Sequence, residues 1–170
     1  MTNRPGMLLG THEFPVIGPM LTVGAAAPDF RLTANNWSPK TLADYEGKVK
    51  ILSMVPSLDT SVCSAQTHRF NEEVSSLGQD IIILTISADL PYAQRRWCGA
   101  EGVDRIDTLS DHKDMNFSTA YGVYVTDLRI CQRAAFVVNK ENRVQYAEYV
   151  PDIDNEINFT AILAKARSLV

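Results

Sequence analysis

Runs of apolar residues along the chain alternate between strand-like and helix-like spacing. Residues 49–55, which end at Pro56, and the β-branched run 81–86 are nearly continuous in hydrophobicity, as expected of buried strands. Between them, apolar positions recur at helical spacing over residues 62–77, and Gly78 supplies a stop signal. This stretch therefore predicts a strand, a helix and a second strand.

The second half of the chain continues with both patterns. Pro91 fits the first turn of a helix that Gly99 would end, which leaves Cys98 in the last turn. The remaining predictions are a helix over 111–120 capped by Asp111, strands over 134–138 and 143–150 joined by a polar turn, and a helix over about 155–169.

The first 30 residues differ from the rest because they are rich in Gly and Pro, with short β-favouring pieces such as residues 20–23. They predict an N-terminal arm or hairpin, assigned to residues 1–26, and a short helical turn over 41–45. The order after the arm is β-α-β-α-(α)-β-β-α. This order predicts a single α/β domain over residues 1–170, with a mixed central sheet flanked by helices, of which the thioredoxin-like fold is one example.

Composition narrows the classes of protein to which the chain can belong. It has 170 residues, of which 45% are hydrophobic, enough for one domain with a continuous core. The net charge of −4 and the lack of a Lys/Arg block argue against nucleic acid as a partner. The apolar stretch 7–9 is too short for a secretory signal, and no run reaches membrane-spanning length.

Three widely spaced cysteines, Cys63, Cys98 and Cys131, do not look like the framework of a disulfide-stapled secreted domain. We therefore expect a reducing cytoplasmic location, in which any disulfide is transient and functional. The three histidines are too far apart in sequence to predict a zinc site.

Cys63 lies at the predicted start of the first helix, at the end of the stretch PSLDTSVC. A helix N-terminus favours a thiolate because its unpaired N–H groups carry partial positive charge. Thr60 or Asp59 is the predicted N-cap, and the Thr60 hydroxyl can lie on the same side as the thiol. The alternative is that Cys63 only fills the core, since free cysteines are among the most buried residues. Asp59 would disfavour a thiolate unless its carboxylate points away.

The stretch around Cys63 is one of several short motifs in a distinctive order. Pro56, Thr60 and Cys63 have the spacing Pro-x-x-x-Thr-x-x-Cys, and the other motifs are APDF at 27–30, FN at 70–71, WCGAEG at 97–102, residues 110–123 and RA at 133–134. Together they resemble the peroxiredoxin family, in particular its thiol peroxidase branch of bacterial atypical two-cysteine peroxiredoxins. The resemblance runs from about residue 20 to the C-terminus. Ser61 departs from it, because many members of this branch have proline there.

The resemblance implies a thioredoxin-like fold with an N-terminal β-hairpin and a peroxidase that reduces hydrogen peroxide and organic hydroperoxides. Cys63 would be the peroxidatic cysteine, and Cys98 the resolving cysteine that forms an intramolecular disulfide with it. Thr60 and Arg133 would hold the peroxide and the thiolate, and Pro56 would shield the pocket. Thioredoxin is implied as the reductant and a homodimer as the assembly, and no metal, haem or flavin is needed.

Physical chemistry gives Arg133 a reason for such a role, because its guanidinium is a fixed cation with several N–H donors. Its place directly before the apolar run 134–138 favours a pocket over the surface, with Arg69 and Arg129 as alternatives. If residues 131–133 are extended, Cys131 shares a face with Arg133. Cys131 is then either a second candidate resolver or an inert core thiol.

Cys63 begins one predicted helix and Cys98 ends the next, whereas a disulfide needs Cα atoms within roughly 7 Å. We therefore expect both segments to unwind locally when the disulfide forms. Without the resemblance, Cys98 would be interpreted as a packing thiol beside Trp97. Two competing functions are a thiol-disulfide oxidoreductase, which the lack of a Cys-x-x-Cys motif disfavours, and a non-catalytic redox sensor with Cys63 as its switch.

Overall fold

The computed structural model describes residues 4–170, so residues 1–3 of the predicted N-terminal arm lie outside the described residues. The strands are β1 Met7–Leu9, β2 His12–Phe14, β3 Val16–Ile17, β4 Arg31–Ala34, β5 Pro39–Thr41, β6 Val49–Met54, β7 Ile81–Ser87, β8 Asp107–Ser110, β9 Tyr124–Val125, β10 Ile130–Cys131, β11 Ala134–Val138 and β12 Val144–Tyr149. The α-helices are α1 Ser61–Glu73, α2 Pro91–Glu101, α3 Asn116–Ala120 and α4 Phe159–Arg167, with 3₁₀ turns at Leu42–Tyr45 and Val74–Ser76.

A seven-stranded mixed sheet forms the centre of the fold, in the order β12-β11-β6-β7-β8-β4-β5. Strands β6, β7 and β8 are parallel, whereas β11 pairs antiparallel with β6 and β4 pairs antiparallel with β8. Hydrophobic clusters cover both faces of this sheet: α1, α2 and α4 pack on one face and α3 packs on the other. The predicted α/β fold, a mixed sheet flanked by helices, is confirmed.

Strand β6 shows how the sequence builds these two faces. All six of its residues are buried. Val49 and Ile51 pack into the cluster under α1, α2 and α4, and Leu52 and Met54 pack into the opposite cluster. Because successive side chains of a strand point to opposite faces, a strand covered on both sides must be apolar almost throughout.

The N-terminal part forms a hairpin of β1 and β2, whose turn includes Gly10 at a φ of 62°. Such a left-handed conformation is readily adopted by glycine because it has no Cβ. The β-favouring piece at residues 20–23 is loop and turn rather than strand. No helix within residues 4–170 has the length and apolar character needed to cross a membrane.

The predictions missed β4, β5, β8 and the short strands β9 and β10. Strand β8 is only four residues long and has Leu109 as its single large apolar side chain, yet it pairs with both β7 and β4. Its stability therefore comes from its neighbours in the sheet, which local sequence patterns do not report.

Two helix ends also differ from the prediction. Helix α2 continues past Gly99 to Glu101 and ends at Gly102, which has a φ of 69°. The glycine in the left-handed conformation, and not the first glycine of the sequence, terminates the helix. Helix α4 begins at Phe159 rather than near residue 155, because the Asn158 side chain caps it by accepting from the Ala161 backbone N–H at 3.0 Å.

Helix α3 begins at Asn116, five residues after the predicted cap Asp111. Met115 directly before it has a φ of 52°, so the chain cannot be helical from Asp111 onward. The Asp111 carboxylate still accepts from the backbone N–H groups of Phe117 and Ser118, at 3.1 and 2.8 Å. Asp111 therefore caps the helix from a distance.

Candidate active site

Four of the five predicted site residues, Pro56, Thr60, Cys63 and Arg133, lie together at the carboxyl edge of the parallel strands, whereas Cys98 does not join them. Pro56 is buried just beyond the end of β6, and Cys63 is the third residue of α1. Arg133 directly precedes β11, whose first residue, Ala134, pairs with Met54 at the end of β6. Loops at this edge of an α/β sheet are a common place for ligand binding.

Thr60 is the N-cap of α1, with an extended backbone. Its hydroxyl accepts from the Cys63 backbone N–H at 3.4 Å and donates to the Ser57 carbonyl oxygen at 3.3 Å. Asp59, the other predicted cap, is exposed and pairs with Arg96 at 3.8 Å. The Asp59 carboxylate is therefore engaged at the surface, and Thr60 fixes the turn that presents Cys63.

Arg133 is only 1% exposed, and its guanidinium contacts three groups. Nη1 donates to Gln66 Oε1 at 2.9 Å, while Nη2 donates to the Ile153 carbonyl oxygen at 2.9 Å and lies 3.4 Å from Cys63 Sγ. Gln66 is held in turn, because its Nε2 donates to Ser53 Oγ at 2.7 Å. The structure therefore brings Cys63 and Arg133 into direct contact.

The charge of Arg133 makes this contact chemically important. Cys63 is fully buried, and within residues 4–170 no Asp or Glu forms an ion pair with Arg133. A buried cation without a counter-ion is costly, and Arg133 places this uncompensated positive charge directly beside the Cys63 sulfur. The two alternative arginines lie elsewhere: Arg69 packs over the Phe159 ring, and Arg129 donates to the carbonyl of His112.

Asp89, which the sequence analysis did not identify, holds the loop that precedes Cys63. Its carboxylate accepts from Ser57 Oγ at 2.8 Å, from the Leu58 backbone N–H at 2.9 Å and from Ser87 Oγ at 2.7 Å. The loop after β6 is thereby tied to the end of β7. A carboxylate three residues after the predicted strand 81–86 is the sequence signal that would have found Asp89.

Gln66 was also missed, although it lies three residues after Cys63 on the same helix. Residues at this spacing share a helix face, so the helical pattern placed Gln66 beside the thiol. Its role depends on Arg133, which lies 67 residues further along the chain and donates to the Gln66 side chain.

Cys98 lies in the last turn of α2 and is half-buried, with its Sγ 3.4 Å from Thr108 Oγ1. It packs against the cluster that contains Cys63, yet both cysteines are free thiols. On this face of the sheet, Gln66, one turn after Cys63, bonds to Ser53 of β6, whereas Cys98 contacts Thr108 of β8. Strand β7 lies between β6 and β8. Two strand spacings are about 10 Å, which exceeds the roughly 7 Å between Cα atoms that a disulfide tolerates.

Cys131 packs in the hydrophobic cluster on the opposite face of the central sheet from Cys63. Strand β10 ends at Cys131, so residues 131–133 do not form one strand and the condition for a face shared with Arg133 is not met: Arg133 contacts Cys63, whereas Cys131 packs on the other side of the sheet. The Cys131 thiol is 3.2 Å from Ser118 Oγ, and Ser118 donates to Asp111. Burial, with the nearby Asp111 carboxylate, raises the pKa of the Cys131 thiol.

A surface cleft of about 330 Å³ lies between the start of α1 and the C-terminal half of α2. Glu101 of α2, which lines this cleft, contacts His68 of α1 at 3.0 Å. Within residues 4–170, no three His, Cys, Asp or Glu side chains converge in the way a metal site requires. The cleft is lined by Leu58, Asp59, Thr60, Ser61, Ser64, Arg96, Trp97, Ala100 and Glu101.

Comparison with known proteins gives a consistent result. The model of the Redoxin family matches residues 22–163. The chain is 50% identical over 155 residues to a thiol peroxidase from Bacillus subtilis (strain 168), covering 91% of this chain and 92% of that protein. It is 48% identical over 152 residues to a thiol peroxidase from Streptococcus pneumoniae (strain ATCC BAA-255 / R6), covering 89% and 93% of the two chains. A crystal structure of a peroxiredoxin-like protein from Aquifex aeolicus superposes with a TM-score of 0.89 at 30% identity, covering 98% of each chain.

Proposed function

This chain belongs to the Redoxin family, in the thiol peroxidase branch of the peroxiredoxins, and we propose that it reduces hydrogen peroxide and organic hydroperoxides through Cys63. The observation that carries the proposal is the buried guanidinium of Arg133, whose Nη2 lies 3.4 Å from Cys63 Sγ. The thiolate is the nucleophilic form of cysteine, and the guanidinium places positive charge where the reacting sulfur and the peroxide would meet.

In the first step the Cys63 thiolate attacks one peroxide oxygen, and the O–O bond breaks. The other oxygen leaves as hydroxide or alkoxide and takes up a proton, and Cys63 becomes a sulfenic acid. Arg133 and the N–H groups at the start of α1 provide donors and positive charge where negative charge develops. Thr60 positions the turn and faces the peroxide, and Pro56 shields the pocket from water.

In the second step the Cys98 thiol condenses with the Cys63 sulfenic acid, which forms the disulfide and releases one water molecule. The free Cys98 thiol on the same face of the sheet supports this assignment. Because the two thiols belong to separate helices over different strands, the segments around both must unwind locally to meet. Thioredoxin then supplies two electrons and two protons from its dithiol to restore both cysteines.

The proposed setting follows from the same chemistry. Three free thiols suit a reducing cytoplasm, where thioredoxin is available as a reductant. A homodimer is the proposed assembly, on the basis of the family. A measurement of molar mass in solution by light scattering tests the assembly independently of the chemistry.

The function is tested by following peroxide consumption coupled to thioredoxin, thioredoxin reductase and NADPH. We expect sustained turnover of hydrogen peroxide by the parent chain and none by Cys63→Ser, whereas Cys131→Ser retains the parent rate. Oxidation that stops after one equivalent of peroxide would indicate a redox sensor. Persistent turnover by Cys63→Ser would refute the assignment of the nucleophile.

A further inference from the structure

A chain of hydrogen bonds leads from the Cys98 thiol to the edge of the sheet. Cys98 Sγ lies 3.4 Å from Thr108 Oγ1 on β8, and Thr108 Oγ1 donates to Asn35 Oδ1 at 3.2 Å. Thr108 is only 4% exposed, whereas Asn35 belongs to the loop between β4 and β5. The peroxidase chemistry described above assigns no role to Thr108 or Asn35.

These contacts hold the Cys98 sulfur in place on the sheet. The Thr108 hydroxyl donates to the Asn35 carboxamide oxygen, which can only accept. The same hydroxyl oxygen contacts the Cys98 sulfur, so Thr108 is tied to Asn35 on one side and to the thiol on the other. Burial raises the pKa of the Cys98 thiol, whereas its contacts with Thr108 and Asn35 act in the opposite direction.

We propose that Thr108 and Asn35 are positioning residues that hold the Cys98 sulfur on the sheet and thereby set the rate of disulfide formation. The inference rests on the proposed function, in which Cys98 is the resolving cysteine. To react, Cys98 must leave Thr108 and give up its proton. The S–S bond then forms while the hydroxyl of the Cys63 sulfenic acid departs with that proton as water.

This restraint has a consequence for the fate of Cys63. While Cys98 remains in contact with Thr108, the Cys63 sulfenic acid persists, and a second peroxide molecule can oxidise it to sulfinic acid. The Thr108–Asn35 pair therefore sets the balance between recycling and inactivation at high peroxide. A weaker restraint favours the disulfide, and a stronger one favours the sulfinic acid.

Two other contacts hold the C-terminal end of α2 and the segment after it, and neither of them involves the Cys98 sulfur. Glu101 pairs with His68 on α1 at 3.0 Å, and the Arg105 backbone N–H donates to Asn71 Oδ1 at 2.9 Å. These contacts hold the helix end against α1. Thr108, by contrast, contacts the reacting sulfur itself.

The chain provides a matched control for a substitution at Thr108. Thr85 on β7 pairs in register with Thr108 and is 1% exposed, and within residues 4–170 its hydroxyl has no hydrogen-bond partner. Thr108→Val and Thr85→Val therefore make the same change in the same row of the sheet, but only the first removes a bond to Cys98. Thr108→Ser retains the hydroxyl and should restore the parent behaviour.

The test mixes each reduced variant with hydrogen peroxide, quenches it at intervals, and measures the Cys63–Cys98 disulfide and the Cys63 sulfinic acid by peptide mass spectrometry. We expect Thr108→Val to form the disulfide about fivefold faster, the effect on an equilibrium of losing one net hydrogen bond. Its sulfinic acid yield should fall, while the rate of the first oxidation of Cys63 stays unchanged. Thr85→Val and Thr108→Ser should behave like the parent.

An unchanged or slower disulfide step in Thr108→Val would overturn the proposal, as would equal acceleration by Thr85→Val, which would indicate general loosening of the core. If Thr108→Val does not fold, Asn35→Ala in the surface loop provides the same test. It removes the acceptor that fixes the Thr108 hydroxyl, so Cys98 should leave Thr108 more readily and the disulfide should again form faster. A parent chain that forms no Cys63–Cys98 disulfide would instead refute the proposed function itself.

Discussion

Arg133 shows at the scale of one residue how a buried charge is placed beside a thiol. Gln66 and the Ile153 carbonyl oxygen accept from its guanidinium on two sides, and the remaining close contact is with Cys63. Both acceptors are neutral, so they do not compensate the positive charge of the guanidinium. The sulfur is therefore the contacting group that can carry the opposite charge. The pocket therefore stores electrostatic stabilisation that a thiolate, and then the developing alkoxide, can use.

Replacement of this arginine should impair the first chemical step. We expect Arg133→Met to lower the second-order rate constant with hydrogen peroxide about a hundredfold, as the loss of a preorganised donor does in other enzymes. Stopped-flow measurement of the first oxidation checks this, with circular dichroism as a test of folding. Arg129→Met, which removes a guanidinium bonded to surface carbonyls, is the matched control. A rate within tenfold of the parent would contradict the role of Arg133.

Cys131 allows a prediction of pH dependence. Burial raises the pKa of the Cys131 thiol in the folded state, whereas in the unfolded chain the value is about 8.5. Above that pH the unfolded state loses its proton first, so stability contributed by the neutral thiol is lost as pH rises. The free energy of unfolding of the parent should therefore fall relative to that of Cys131→Ala by up to about 1.4 kcal/mol per pH unit. Urea denaturation under reducing conditions between pH 7 and about pH 10 measures the difference, and a constant difference would contradict it.

At the scale of the element, the first turn of α1 affects both the stability of the folded chain and the proposed formation of the disulfide. Ser61 is the first residue of this helix and is exposed, and Thr60 before it is extended with a ψ of 149°. Both conditions suit proline at position 61, because proline favours the first helical turn and requires an extended residue before it. The departure of Ser61 from the family pattern thus leaves the helix start more able to unwind.

Ser61→Pro should therefore stabilise the folded chain and slow resolution. We expect the free energy of unfolding to rise by about 0.5 to 1 kcal/mol, mainly through the lower entropy of the unfolded chain. Formation of the Cys63–Cys98 disulfide should become slower, because the first turn of α1 unwinds less readily. Urea denaturation and quenched-flow mass spectrometry measure the two effects, and Ser64→Ala in the next turn is the control. A less stable variant would contradict the geometry described for Thr60.

The same elements show which features local sequence could predict. Strand β6 was predicted from a nearly continuous apolar run, and helix α1 from apolar positions that recur at helical spacing. Strand β8 was missed because its partners β7 and β4 supply what its own residues lack. The family resemblance pointed to Cys63 and Arg133, and the start of a predicted helix also pointed to Cys63, whereas Asp89 acts through a loop more than 30 residues away along the chain. Contacts between segments that are distant along the chain therefore could not be predicted from local sequence patterns.

At the scale of the whole molecule, the N-terminal hairpin supports the active site from outside the central sheet. The Leu8 backbone N–H donates to the Pro151 carbonyl at 2.8 Å, and the Ile153 N–H donates to the Leu8 carbonyl at 3.0 Å. Ile153 in turn accepts from Arg133. The hairpin therefore fixes the segment that orients the guanidinium.

Loss of the hydrogen bonds between the hairpin and residues 151–153 should slow the reaction of Cys63, although the hairpin does not contact Cys63. We expect Leu8→Pro, which removes the N–H that bonds to Pro151, to lower the rate of peroxide reduction about fivefold, the effect of one net hydrogen bond. Leu8→Ala keeps the N–H and serves as the control. Equal rates in Leu8→Pro and the parent, with the fold intact by circular dichroism, would show that Arg133 is oriented without the hairpin.

The pairing of the cysteines is the central claim at every scale, and one measurement tests it most directly. The reduced chain is treated with one equivalent of hydrogen peroxide, blocked with a thiol reagent, digested and mapped by mass spectrometry. We predict a disulfide between Cys63 and Cys98 within one chain, with Cys131 recovered as a free thiol. A Cys63–Cys131 bridge, or a disulfide found only between two chains, would contradict the account.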